Sequence, residues 1–388
     1  MAFTALNLEA SLSNYKDGLT LPSDDIMKER ALRIFSKLAE PVDAILIMSG
    51  EEPLLDVAFY YATGASAGLF EGCPAILWPD GRVQVLTSKL EETSARASSA
   101  EVSVWATAAE REDLLKETLR GVRTVGVNGP GITYGSLKTV EKSVPGVRFV
   151  DVGSAVLGAR IVKDEREIET IREACNIASR VADQIPSMLV EGTTEYEMGA
   201  EIAYQMQRMG ASGVSFETIA AFGPGSAEPH YVPGSKKLNK GEPALFDFGC
   251  KYRMYCSDIT RTYFLGRVPE KFERMYEVVL EAQRRALETV RAGATGTEVD
   301  AAAREHIDST EFKGRLIHST GHGLGLSVHD GGRMAPNIDL ILEENMVMTV
   351  EPGVYIPGLG GIRIEDNVRV TRDGCEMLTS AKKELTVV

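Results

Sequence analysis

At 388 residues the chain is long for a single domain, and two is the better expectation. Its 44% hydrophobic and 25% charged residues are ordinary for a soluble globular protein. A formal net charge of −14 argues against nucleic acid and anionic membrane surfaces as partners, since both would repel it.

Taken in chain order, the opening M-A-F-T-A-L-N-L-E-A lacks a basic segment followed by an apolar core, so no signal peptide is expected. Nor does any stretch approach the roughly 18 uninterrupted apolar residues of a membrane span. A helix signal around 25–40 precedes the apolar strand A-I-L-I-M (44–48). P-A-I-L-W (74–78) and V-Q-V-L-T (83–87) flank the turn P-D-G-R (79–82), a hairpin signal. T-V-G-V-N (124–128) and V-R-F-V-D-V (147–152) read as strands with a helix between them. Residues 1–157 are therefore expected to form a smaller α/β domain. The composition shifts near Arg160, which places a second domain at 158–388.

That domain opens with K-D-E-R-E-I-E-T-I-R-E-A-C (163–175). Ile168, Ile171, Cys175, Ala178, Val181 and Ile185 form one apolar stripe at helical period. T-E-Y-E (194–197) and T-E-V-D (297–300) each resemble a helix N-cap with an acid three residues on. They suggest a duplicated α+β unit with a metal site at its seam. Cys73, Cys175, Cys250, Cys256 and Cys375 lack zinc-site spacing and are expected to be reduced, as in a cytoplasmic protein.

The chemistry concentrates in five segments: L-F-D-F-G (245–249), C-S-D-I-T-R-T (256–262), H-S-T-G-H-G-L-G (318–325), V-E-P-G-V-Y (350–355) and G-I-R-I-E-D-N (361–367). Asp247 sits in an apolar run where an unpaired carboxylate is expensive. A tight reversal between two strands would let Asp258 face the same point. His318, His322 and His329 cluster among glycines, which permit close backbone approach. Glu351 follows a buried-strand signal, and Glu365 lies in a second alternating strand, where Glu is depleted. Asp247, Asp258, His322, Glu351 and Glu365 together make a ligand set for two divalent metals. Manganese or cobalt suits so oxygen-rich a set best, with zinc or iron as alternatives.

In this order the segments resemble the pita-bread metallopeptidases, meaning creatinase, aminopeptidase P and prolidase, and most closely prolidase, the Xaa-Pro dipeptidase. F-Y-Y-A-T-G (59–64) is similar to their N-terminal domain. The resemblance implies an α+β fold: a pita-bread catalytic domain of duplicated α+β halves, preceded by a smaller α/β creatinase/prolidase-type domain. It implies that Asp258 and Glu365 bridge two metals, that Asp247 and His322 each bind, and that Glu351 both binds and handles a proton. Two ions would hold and acidify a hydroxide that attacks the peptide bond before proline. His230, in G-S-A-E-P-H-Y, matches a substrate-side histidine, and His329 matches one that stabilises the tetrahedral intermediate. Arg363, also grouped on the substrate side, would orient the acidic ligands. Arg333 matches a clamp for a free C-terminal carboxylate, which favours an Xaa-Pro dipeptide substrate. The resemblance further implies a homodimer.

Ser327 and Asp330 depart from the acid and the glutamate that relatives often carry there, which bears on fine substrate preference. An aminopeptidase acting on longer Xaa-Pro peptides is the first alternative. A non-catalytic pita-bread binding module is the alternative from another class, and it predicts broken ligand motifs.

Overall fold

A computed structural model describes residues 24–65, 68–98 and 100–388. The N-terminal stretch read above for a leader lies outside these residues. The chain divides into two compact units, one ending at Ala159 and one beginning at Arg160, within the helix Gly153–Ile161.

The first unit is built on six strands: β1 (Ala44–Met48), β2 (Pro74–Leu77), β3 (Val83–Ser88), β4 (Glu101–Trp105), β5 (Thr124–Val127) and β6 (Arg148–Asp151). They form one mixed sheet in the order β4-β3-β2-β1-β5-β6. Continuous apolar sequence puts β1 wholly inside, next to its parallel neighbour β5. The hairpin expected on P-D-G-R is present, with Leu77 opposite Val83 and Gly81 at a φ of 86°. The helix expected around 25–40 ends earlier, spanning Asp24–Ser36. Its last turn tightens instead of continuing, with Lys37 N–H on Ile34 O at 3.1 Å and Leu38 N–H on Phe35 O at 3.3 Å. Edge strand β4 was not anticipated; it is half-exposed, and its five residues give little burial pattern.

The second unit repeats one motif. Helices α1 (Glu165–Ala182) and α2 (Glu195–Arg208) pack on strands β7 (Ile219–Phe222), β8 (Pro243–Phe248) and β9 (Ile259–Phe264) around a shared apolar core. Helices α3 (Glu270–Thr289) and α4 (Gly296–Asp308) share a second core with β10 (Val347–Val350), β11 (Gly353–Ile356), β12 (Gly360–Arg363) and β13 (Asp366–Val370). The predicted stripe on α1 is buried, and Asp164 and Glu167 close a capping box at its start.

Matching backbone bonds mark the duplication. Gly192 N–H donates to Leu238 O at 2.9 Å and Gly293 N–H to Leu342 O at 2.8 Å. Leu238 N–H returns to Thr193 O at 2.9 Å, and Leu342 N–H to Ala294 O at 2.8 Å. Thr194 caps α2 with Glu197, as expected. The second cap, however, is Thr295 with Glu298, not Thr297 with Asp300. Asp300 instead turns inward to Arg304 and Thr320, and Thr297 bonds Ile338.

The two halves meet where β9 runs beside the chain between β12 and β13. Glu365 N–H donates to Thr260 O at 3.1 Å, and Thr262 Oγ1 to Arg363 O at 3.2 Å. Behind this seam Arg261 is fully buried against Asp366. Its Nη2 lies 2.7 Å from Asp366 Oδ1 and 2.8 Å from Ala381 O, and its Nε 2.9 Å from Lys382 O.

Candidate metal centre

Asp247 on β8 faces Thr260 on β9 in the antiparallel register. Asp258 lies two residues before Thr260, so alternation places all three side chains on one face. The predicted reversal between them is a hairpin in which Tyr252 pairs with Tyr255. Arg253 and Met254 at its tip both take positive φ, at 46° and 72°, as a tight two-residue turn requires.

His322 ends the short strand Gly321–His322, opposite Arg333. Its N–H donates to Thr349 Oγ1 at 3.0 Å, and Thr349 Oγ1 donates to Glu351 Oε1 at 3.2 Å. Glu365 is not inside one long strand as read from the sequence. It lies between β12 and β13, where the chain leaves β11 as its partner and joins β10. That break turns its carboxylate onto Thr260 Oγ1, at 2.7 Å.

Asp258, His322 and Glu365 offer ligand atoms that lie within 4.8 Å of one another. Glu351 Oε1 is 3.3 Å and Asp258 Oδ2 3.6 Å from His322 Nε2. Burial pushes the Asp258 carboxyl well above the usual carboxylate range, and Glu365, Asp247 and Glu351 push it the same way. Glu365 is raised by burial, then by Glu351 and Asp247. Burial also raises Glu351, against the opposing charges of His318 and Arg363. Asp258, His322 and Glu365 thus share one point with Glu351 beside them, and Asp247 stands next to them, opposite Thr260 and bonded to Arg363.

Burial holds the His322 imidazole below its ordinary value. Its Nδ1 lies 3.1 Å from Gly323 O, which fixes the proton there and aims the Nε2 lone pair at the carboxylates. Nε2 thus faces Glu351 Oε1 at 3.3 Å and Asp258 Oδ2 at 3.6 Å. Asp247 Oδ1, Asp258 Oδ1 and Glu365 Oε1 are buried with no hydrogen-bond partner among the described residues. Orphaned anionic oxygens and an imidazole lone pair facing one point suit a hard or borderline divalent cation.

Arg363 is 3% exposed. Its Nη2 donates to Asp247 Oδ2 at 2.5 Å, Nε to Thr260 Oγ1 at 3.0 Å and Nη1 to Tyr355 Oη at 2.9 Å. Each of its three nitrogens thus makes a hydrogen bond to a protein group, and through Nη2 it supports Asp247. His318 completes the chain through Nε2, 2.7 Å from Tyr355 Oη. His230, His329 and Arg333, by contrast, are exposed. The His329 ring centroid is 4.3 Å from that of His322. Partial burial lowers the His329 imidazole, and the neighbouring His322, His230 and Arg333 lower it further against Glu351. Tyr355, Thr260 and Thr349 were not singled out in the sequence. Each is a neutral residue of an apolar strand, and only its position inside a ligand motif marks it.

Residues 169–372 match Metallopeptidase family M24, and residues 29–162 match the Creatinase/Prolidase N-terminal domain. The Xaa-Pro dipeptidase of Pyrococcus horikoshii is 34% identical over 364 residues, 93% of this chain and 99% of its own length. The structure of an Xaa-Pro dipeptidase from Bacillus anthracis shares 32% identity at a TM-score of 0.86, covering 94% of this chain and 100% of that one. An X-Pro aminopeptidase from Thermotoga maritima shares 33% identity at a TM-score of 0.85, covering 92% and 100%.

Proposed function

Because this chain belongs to metallopeptidase family M24, we propose that it is an Xaa-Pro dipeptidase working with two divalent metal ions. It is a peptidase with the pita-bread fold, and its smaller domain is of the creatinase/prolidase type. One observation carries the two-ion reading: three orphaned, buried carboxylate oxygens share a site with an imidazole whose Nδ1 is taken up by Gly323 O, leaving Nε2 toward the carboxylates. Asp247, Asp258, His322, Glu351 and Glu365 would hold the ions. Manganese or cobalt suits the set best.

When bound, such ions supply a water-derived nucleophile at neutral pH and polarise the scissile carbonyl. Glu351 accepts the proton of the attacking water and returns it to the departing proline nitrogen. His329 donates to the carbonyl oxygen as negative charge develops there. His230 lines the substrate side with it. Arg333, exposed and opposite His322, clamps the free carboxylate of the dipeptide in a bidentate fork. Arg363 holds Asp247 in place.

The test is turnover of an Xaa-Pro panel with and without added manganese or cobalt, for wild type and Arg333→Ala. The likeness to the Thermotoga maritima aminopeptidase supports a second reading, action on longer Xaa-Pro peptides. Preference for Xaa-Pro-Xaa over Xaa-Pro would replace the first reading with the second. Bound metal per chain, measured by elemental analysis, tests the ion count; a ratio near one overturns the dinuclear site. The cytoplasmic homodimer in this reading is tested by sedimentation, and a monomer at assay concentration removes it.

A further inference from the structure

Among the buried carboxylates outside the ligand cluster, two each hold a loop that carries one of the exposed histidines. Glu195, at the first position of α2, is 0% exposed. Its neighbour Glu197 closes the capping box, whereas Glu195 points inward. Oε1 accepts from Phe222 N–H at 2.9 Å, and Oε2 from Tyr231 Oη at 3.0 Å and Gly234 N–H at 2.8 Å. These bonds grip the segment on both sides of His230. The Tyr231 ring lies so close that a Cβ on Gly225 would sit 2.9 Å from it. Burial, then Glu195, pushes the Tyr231 phenol up to about 12, so it stays a donor.

Asp330, 1% exposed, follows His329 directly. Oδ1 receives Arg160 Nη2, while Oδ2 accepts from Leu326 N–H at 3.2 Å and lies 3.8 Å from Lys163 Nζ. A Cβ on Gly325 would stand 2.1 Å from that oxygen, so glycine alone lets the loop fold this tightly. Arg160 also reaches Ser327 Oγ at 3.3 Å, and Asp330 N–H bonds Gly323 O at 2.8 Å. The loop from 323 to 332 is thus wrapped around one carboxylate.

We infer that Glu195 and Asp330 are positioning residues: Glu195 fixes His230 and Asp330 fixes His329, each acting on substrate only through that histidine. The inference rests on the peptidase reading above for what the two histidines do. A misplacement of about 1 Å costs up to roughly 100-fold in rate, so the anchors matter without touching substrate.

The test is a pair of double-mutant cycles on the metal-loaded enzyme. Glu195→Gln is expected to lower kcat/KM roughly 10- to 100-fold with metal content unchanged. It should add little in a His230→Ala background and act in full in a His329→Ala background. Asp330→Asn is expected to show the mirror pattern. Losses that multiply in every background, or that track lost metal, overturn the proposal. Should either variant fail to fold, Tyr231→Phe and Lys163→Met, each removing one arm of an anchor, carry the same cycles. A second readout needs no turnover. The chain has five histidines, and in the zinc-loaded protein Glu195→Gln should move the His230 ring resonances and spare those of His329, with Asp330→Asn doing the reverse. Absence of Xaa-Pro cleavage by wild type sinks the dipeptidase reading and leaves this readout to judge the anchors. Unmoved histidine signals sink the anchors themselves.

Discussion

Asp258 lies at the centre of the mutual repulsion in the site, with Glu365, Asp247 and Glu351 all raising its carboxyl after burial does. Asp258→Ala is therefore expected to abolish turnover and to lower bound divalent ion, read by elemental analysis of the purified variant. Near-normal activity would contradict the proposed mechanism. In the proposed reading Arg333 acts at the other end of the substrate. Charge-assisted hydrogen bonds contribute about 1.5–3 kcal/mol, so Arg333→Ala should raise KM for Xaa-Pro roughly 10- to 100-fold and leave Xaa-Pro-Xaa less affected; equal losses on both would remove the clamp. At this scale the sequence was informative wherever a residue broke a local rule. Asp247 in an apolar run and His322 among glycines stand out for that reason. Tyr355 does not, because a tyrosine in an apolar strand is ordinary until its hydroxyl is found between Arg363 and His318. Nor could spacing show that Arg363 spends all three nitrogens on protein groups.

Among elements, the first turns of α2 and α4 are the most telling, since they are equivalents in the two halves. The repeat was legible, but the second cap was misplaced by two residues because T-E-V-D satisfies the same short pattern. Tertiary bonding decides between the two: Thr295 bridges Ile341 just as Thr194 bridges Lys237. Thr295→Ala should cost about 1 kcal/mol in chemical denaturation, as should Thr194→Ala; an undiminished midpoint would move the cap elsewhere. Aligning the caps pairs Glu195 with Gly296. Where the first half extends a carboxylate, the second brings backbone into direct contact: a Cβ on Gly296 would lie 2.4 Å from Arg333 O. Gly296→Ala is therefore expected to displace the Arg333 strand and raise KM with metal content unchanged. An unaltered KM would show that the strand yields without moving its side chain.

The second unit as a whole is tied together behind its site by the buried Arg261–Asp366 pair. Burial pushes the Asp366 carboxyl up, but Arg261, Lys383 and Thr379 outweigh it and hold it below the usual range. A carboxyl depressed in the folded state contributes stability above its unfolded value of about 3.9 and loses it as pH falls through the lower folded value. Asp366→Asn leaves a buried guanidinium without its counter-charge and should cost about 3–5 kcal/mol at neutral pH. The deficit should shrink toward pH 3, as measured by denaturant midpoints; a deficit independent of pH would assign the loss to packing. Fold class was readable from periodicity and motif order, since helix stripes and buried strands follow from the hydrophobic pattern. The partition of 361–370 into two strands was not, because apolar and polar residues alternate through both halves of that run and only the choice of partners separates them.

The carbonyls that Arg261 requires lie 120 and 121 residues further along, at Ala381 and Lys382. Translation therefore releases this strand long before its counterpart exists. Through that interval water, not protein, must satisfy those donors of the guanidinium. A chain ending before Ala381 would lack two of the acceptors that let this guanidinium be buried and is expected to be less stable, as read by denaturant midpoint.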